Sequence, residues 1–140
     1  MVIIIFKSEL GMWFDNAIGK EKIQSIFNNE FDIQTIEIDG FSMVNLSDLR
    51  FNLFCKNVPK KFPDKWSKNR FNALNLIITF GDVIRLDVSG SRVGLLCLPT
   101  TISFTGCSEI KVKHDVLNLY CKSKFLTIES IRPYLDERWD

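Results

Sequence analysis

A chain of 140 residues with 46% hydrophobic residues, 25% charged residues and a net charge of +1 is neither a disordered tail nor a collagenous or repeat-tract sequence. The balanced charge also excludes the strongly basic footprint of a dedicated nucleic-acid binder. A chain of this mass buries about two thirds of its unfolded surface, enough for a single domain, residues 1–140, with one core.

The chain opens with MVIIIFK. The apolar run is too short and lacks the leading charge of a secretory signal, so it predicts a buried strand over 2–6. No stretch approaches the ~20 apolar residues of a membrane span, which points to a cytoplasmic protein with no membrane partner. Residues 10–18 are irregular. Ile23, Ile26 and Phe27 then recur at helical spacing, with Ile18 about one turn earlier. That stripe predicts one N-terminal helix over about 18–29.

From residue 33 the period changes to two. Ile36 and Ile38 alternate with Glu37 and Asp39, and Gly40 marks a break or bulge. Leu49, Phe51, Leu53 and Cys55 alternate with Arg50, Asn52, Phe54 and Lys56, which predicts a half-buried strand. Residues 57–69 hold Pro59, Pro63 and four lysines and read as a loop. Residues 72–80 predict a central strand, Gly81-Asp82 a turn, residues 84–88 another strand, and Ser89-Gly90 a second turn. Further strands are predicted over 93–98, 101–105, 110–113, 116–121 and 125–131, with a turn at His114-Asp115 and a polar tail from 132, where Pro133 opposes continuation. With no helical pattern after residue 30, parallel crossovers are excluded. The expected class is mainly β (α+β): an antiparallel, strongly bent sheet, sandwich or partly open barrel, with the one helix over an open face or end.

Catalytic and metal-binding patterns are sparse. His114 is the one histidine, so no two-His metal site can form. Phosphate-binding glycine loops and the HExxH and GxSxG patterns do not occur. Cys55, Cys97, Cys107 and Cys121 are never closer than ten residues, so they form no C-x-x-C clip and read as reduced, structural residues. The expectation is a protein that is not an enzyme and needs no cofactor.

The charge is segregated along the chain. Residues 1–49 carry a net −5, residues 50–70 a net +6, and residues 71–140 are neutral. Glu37 and Asp39 share one face of a strand, and Asp32 is expected to project with them, beside Glu21 and Glu30 at the helix. Such an anionic patch suits capture of a basic partner. In the basic segment 56–70, Lys60, Lys61, Lys65 and Lys68 are interleaved with Phe62 and Trp66. Two roles fit that interleaving: a partner surface, or a small nucleic-acid-binding β module in which bases stack on the rings. The rings also suit a plainer role, anchoring the loop to the body.

Several of these residues carry a resemblance to a known family. Trp13, Ile18-Gly19, Ile26-Phe27, the P-D-K-W run at 63–66 and N-A-L-N-L-I-I-T-F-G-D-V-I-R-L-D-V-S-G over 72–90 look like the small β-rich immunity proteins that bacteria encode beside polymorphic or contact-dependent growth-inhibition toxins. The resemblance covers about residues 13–90. It implies a cytoplasmic protein that binds and neutralises one cognate toxin domain, often a nuclease, by occluding its active site, and that catalyses nothing. Trp66 carries over as a structural position; no toxin-contacting residue does.

Overall fold

The computed structural model describes residues 7–8, 11–12, 17–22, 36–56, 62–91, 95–97, 100–104, 107–114 and 116–137. Two short strands, β1 (Lys7–Ser8) and β2 (Gly11–Met12), pair with each other. The remaining strands are β3 (Ile36–Val44), β4 (Asp48–Cys55), β5 (Ala73–Gly90), β6 (Leu95–Cys97), β7 (Thr100–Phe104), β8 (Cys107–Lys113) and β9 (Leu117–Tyr134). They form one seven-stranded sheet in the order β6-β3-β4-β5-β9-β8-β7, and every pairing within it is antiparallel.

β5 and β9 are each 18 residues long and pair along their whole length. β4 joins the first half of β5, from Leu74 to Phe80, whereas β8 joins β9 from Asn118 to Ser123, opposite the second half of β5. This ribbon cannot run straight. Leu95 pairs with Ile38, Ile38 with Leu53, and Leu53 with Leu76. Along a straight β5, Leu76 would lie about 46 Å from Gly90. The chain from Gly90 to Leu95 reaches at most about 18 Å. The ribbon therefore curls back over itself, helped by two register shifts, at Ile77/Ile78 and Val83/Arg85, because a bulge bends its strand and raises the local twist. Buried side chains from both halves meet in one core: Leu49, Phe51, Leu53, Leu76 and Phe80 from the first, Ile110, Val112, Leu119 and Cys121 from the second. Phe51 packs edge-on against Phe80, with centroids 5.6 Å apart. The outer faces of the two halves look away from this shared core.

The Gly81-Asp82 pair does not reverse the chain as expected. Gly81 pairs with Phe125 and Val83 with Ser123, so β9 carries β5 through a local irregularity. Asp82 takes a left-handed φ of 55°, and its N–H donates to the Asp48 carboxylate at 2.9 Å. For the same reason the two strands expected over 116–121 and 125–131 are one, and Pro133 sits inside the ladder opposite Leu74. An open, curled sheet replaces the sandwich and barrel alternatives.

The helix expected over 18–29 is not borne out at its start. Ile18 sits in a parallel bridge with Thr127: it donates to the Leu126 carbonyl at 2.7 Å and accepts from Ile128 N–H at 2.8 Å. A β9 edge left open beyond β8 outcompetes the first turn of a helix for those backbone groups. Gly19 then turns the chain with φ of 87°. Among the described residues only Glu21 and Lys22 take α-helical backbone, and no α-helix element is formed; residues 23–29 and the strand expected over 2–6 lie outside them.

Candidate interaction surface

Period-two geometry sets the outer face of the first half. Leu49, Phe51, Leu53 and Cys55 of β4 point into the core, so Arg50, Asn52 and Phe54 point out. The ladder places Asn75 opposite Phe54, Ile77 opposite Asn52 and Thr79 opposite Arg50, while Glu37 of β3 also lies opposite Phe54. β3 and β4 slip register between Ile38 and Gly40, and Asp39 occupies the slip.

A hydrogen-bonded row crosses the three strands. Asn75 Nδ2 donates to Asn52 Oδ1 at 2.6 Å and to the Leu53 carbonyl at 3.1 Å. Asn52 Nδ2 donates to Asp39 Oδ2 at 3.1 Å. Alongside, Arg50 Nε donates to Thr79 Oγ1 at 3.3 Å, and its guanidinium reaches Glu129 at 4.0 Å. Phe54 and Tyr134 close one end with ring centroids 4.7 Å apart. Between Asp39 and Arg50 lies an open groove of about 300 Å³, with Gly40, Asn52 and Ile77 in its walls.

Glu37 and Asp39 thus share this face, as their spacing predicts; Glu37 is half-buried and Asp39 exposed. Glu21 does not join them. It is exposed and follows the Ile18 bridge on the far side of β9, with β4, β5 and β9 lying between it and β3 in the sheet order. Glu30, Asp32, Lys60 and Lys61 lie outside the described residues. Lys65 and Lys68 are exposed on a short 3-10 helix, Asp64–Lys68. The rings of that segment face inward. Trp66 is buried in the core cluster, stacked on Phe62 at 6.4 Å and edge-on to Phe71 at 6.0 Å. Rings held in this way are in keeping with the anchoring reading.

A second surface was not singled out from the sequence. On the outer face of the other half, Tyr120 lies between two cations: the Arg85 guanidinium is 5.8 Å and the Lys111 ammonium 5.7 Å from its ring centroid. A depression of about 360 Å³ adjoins them, bordered also by Lys113 and Asn118. The sequence signal was the alternation Ile110-Lys111-Val112-Lys113, but only the pairing of β8, β9 and β5 brings the three residues together.

Three titratable groups have clearly displaced proton affinities among the described residues. Burial pushes the Cys55 and Cys121 thiols up to about 12, which keeps both protonated and unreactive near neutrality. The Asp82 backbone N–H, with Asn45, Ser47 and Arg50, holds the Asp48 carboxyl below its usual range against a smaller opposing effect of burial. His114 Nδ1 accepts from Val116 N–H at 3.3 Å, a turn-stabilising contact. Among the described residues, no three His, Cys, Asp or Glu side chains converge as metal ligands. No described helix is long and apolar enough to cross a membrane.

The described surfaces present oriented amides, fixed charges and a groove. The model of the family described as Immunity protein 50 matches residues 19–134. No curated protein and no solved structure gives a match.

Proposed function

The chain belongs to the Immunity protein 50 family, and from that premise we propose that it neutralises one cognate toxin domain, a nuclease, by seating the outer face of β3, β4 and β5 over the toxin's active site. The observation that carries this reading is the family match across 19–134, which takes in every strand of the seven-stranded sheet. The open row Asp39–Asn52–Asn75 supports the choice of face, because side chains already held by one another lose little freedom when a partner docks. A standard interface needs about 800 Å² from each partner, so the contact extends from this three-strand face onto the surface around it.

Glu37 and Asp39 give the face an anionic edge. The substrate surface of a nuclease is cationic, so this edge raises the encounter rate and fixes the approach. Inhibition is stoichiometric and steric, in the cytoplasm, with no bond made or broken and no cofactor. Co-expression with the toxin domain encoded next to this gene tests the reading: growth is restored by the wild-type chain, and Glu37→Lys with Asp39→Lys slows association and weakens its salt dependence. Unchanged toxicity in the presence of folded wild-type protein would overturn it.

A further inference from the structure

The groove between Asp39 and Arg50 has a more specific fit than a flat sheet face. Its anionic end is a single carboxylate held in place. Asn75 is fixed by two bonds, to Asn52 and to the Leu53 carbonyl. It thereby orients Asn52, whose amide then holds Asp39 Oδ2. The donor is neutral, so this bond does not compensate the Asp39 charge. Among the described residues its other oxygen meets no partner, and it makes no ion pair. Arg50, the cation at the opposite end, is turned toward Thr79 and Glu129 instead.

The space beside this carboxylate is real. A Cβ built on Gly40 would meet nothing within 4 Å, although Gly40 lies inside the ladder opposite Asn52. A side chain here would cover the strand backbone; glycine leaves it bare. Ile77, half-buried, supplies an apolar wall. A bare floor, an apolar wall and a fixed carboxylate at one end match a long side chain with an aliphatic stem and a cationic head. The like charge of Arg50 sets the direction, head toward Asp39.

We infer that the groove over Gly40 receives one lysine or arginine side chain presented by the toxin domain, and that Asp39 binds its charge. The inference rests on the proposed toxin-binding reading for its partner, and on the groove alone for its chemistry. The group it engages is one that a nuclease would otherwise set against phosphate, so occupation of the groove draws away a cation from the toxin's substrate surface.

Two variants isolate the claim. Asp39→Asn keeps the shape and the Asn52 bond but removes the charge. Gly40→Phe fills the groove at a position with free space and an ordinary φ; an aromatic residue suits a strand better than glycine, so the fold is retained. In an NMR titration with the blocked tripeptides acetyl-Gly-Arg-Gly-amide and acetyl-Gly-Gln-Gly-amide, the arginine peptide shifts the side-chain amide signals of Asn52 and Asn75 and the Gly40 N–H at millimolar concentration, as suits a single exposed pair. The glutamine peptide does not, and both variants abolish the shift while keeping the wild-type melting temperature. Equal shifts from the two peptides, or no shift, overturn the inference. With the toxin domain itself, each variant weakens binding about tenfold or more. If wild type protects cells and both folded variants protect equally, the groove assignment fails and the toxin-binding reading stands. If wild type does not protect, that reading fails, while the peptide titration still decides the groove.

Discussion

Gly19 lies directly against the carbonyl oxygen of Ile128. A Cβ placed on Gly19 would sit 2.7 Å from that oxygen, at a φ of 87°. The oxygen belongs to β9 backbone and cannot swing aside. The Ile18-Gly19 pair is therefore where the N-terminal segment is sewn to the long ribbon, through the two bonds that Ile18 makes with Leu126 and Ile128. Gly19→Ala should cost about 2 kcal/mol, combining left-handed strain with the clash. Urea unfolding measures it, as a lower midpoint with an unchanged slope.

Trp66 predicts a contrast within one short helix. It is 6% exposed and touches the core, whereas Lys65 and Lys68 flank it in solvent. Trp66→Ala should lower stability by about 3–5 kcal/mol. Lys65→Ala and Lys68→Ala should change it by less than about 0.5 kcal/mol. Thermal melts of the three variants separate an anchor from a row of solvated charges.

Asp48 links the β3–β4 hairpin to the irregularity in β5 through Asp82 N–H. Its carboxyl is held below the usual range in the folded state. A depressed acid stabilises the fold above its unfolded value of ~3.9, and that contribution drains away as pH falls through the folded value. Asp48→Asn should therefore be less stable than wild type at neutral pH, and the gap should close below about pH 4. A gap independent of pH down to the acid transition would contradict this account.

The thiols of Cys55 and Cys121 carry the opposite sign. Their protons are held up to about 12 when folded, against ~8.5 in the unfolded chain. Near pH 7 both states hold the proton and the thiols are neutral to stability; above ~8.5 the unfolded state loses protons first and stability falls. In thiol-labelling mass spectrometry at pH 8, the peptides bearing Cys55 and Cys121 should stay unmodified in the native protein and react in denaturant.

Leu46 is strained and bare at the tip of the β3–β4 hairpin, with a φ of 69° and 99% exposure. Leu46→Gly should raise stability by about 1 kcal/mol, because glycine adopts this conformation without a Cβ penalty. The same unfolding curves read it.

Half of this fold can be read directly from local pattern. The alternation of Leu49, Phe51, Leu53 and Cys55 gave both the span of β4 and its buried face. Long-range partners govern the places where local pattern misleads. Gly81-Asp82 carries a strong local turn signal, but β9 continues past it and Asp48 satisfies the displaced N–H. Ile18 fits a helical stripe, but β9 offers its backbone an edge. The same division holds at the surface. Glu37 and Asp39 share a face because period two requires it. The groove depends on a register slip at Asp39 and on Asn52 and Asn75 meeting across strands, neither of which has a local signature. Tyr120 between Arg85 and Lys111 likewise needs three strands in register.

The curled ribbon has a consequence for assembly in the cell. Residues 49–55 and 108–113 flank opposite ends of the same two strands, so neither end gains its apolar lining until a partner segment tens of residues away has been synthesised. Leu76 must wait for Ile131, and Leu86 for Cys121. The β5–β9 pairing forms only once nearly the whole chain has left the ribosome, and closure of such distant pairings is slow. A newly made molecule thus reaches its finished shape only after an interval that follows the end of translation.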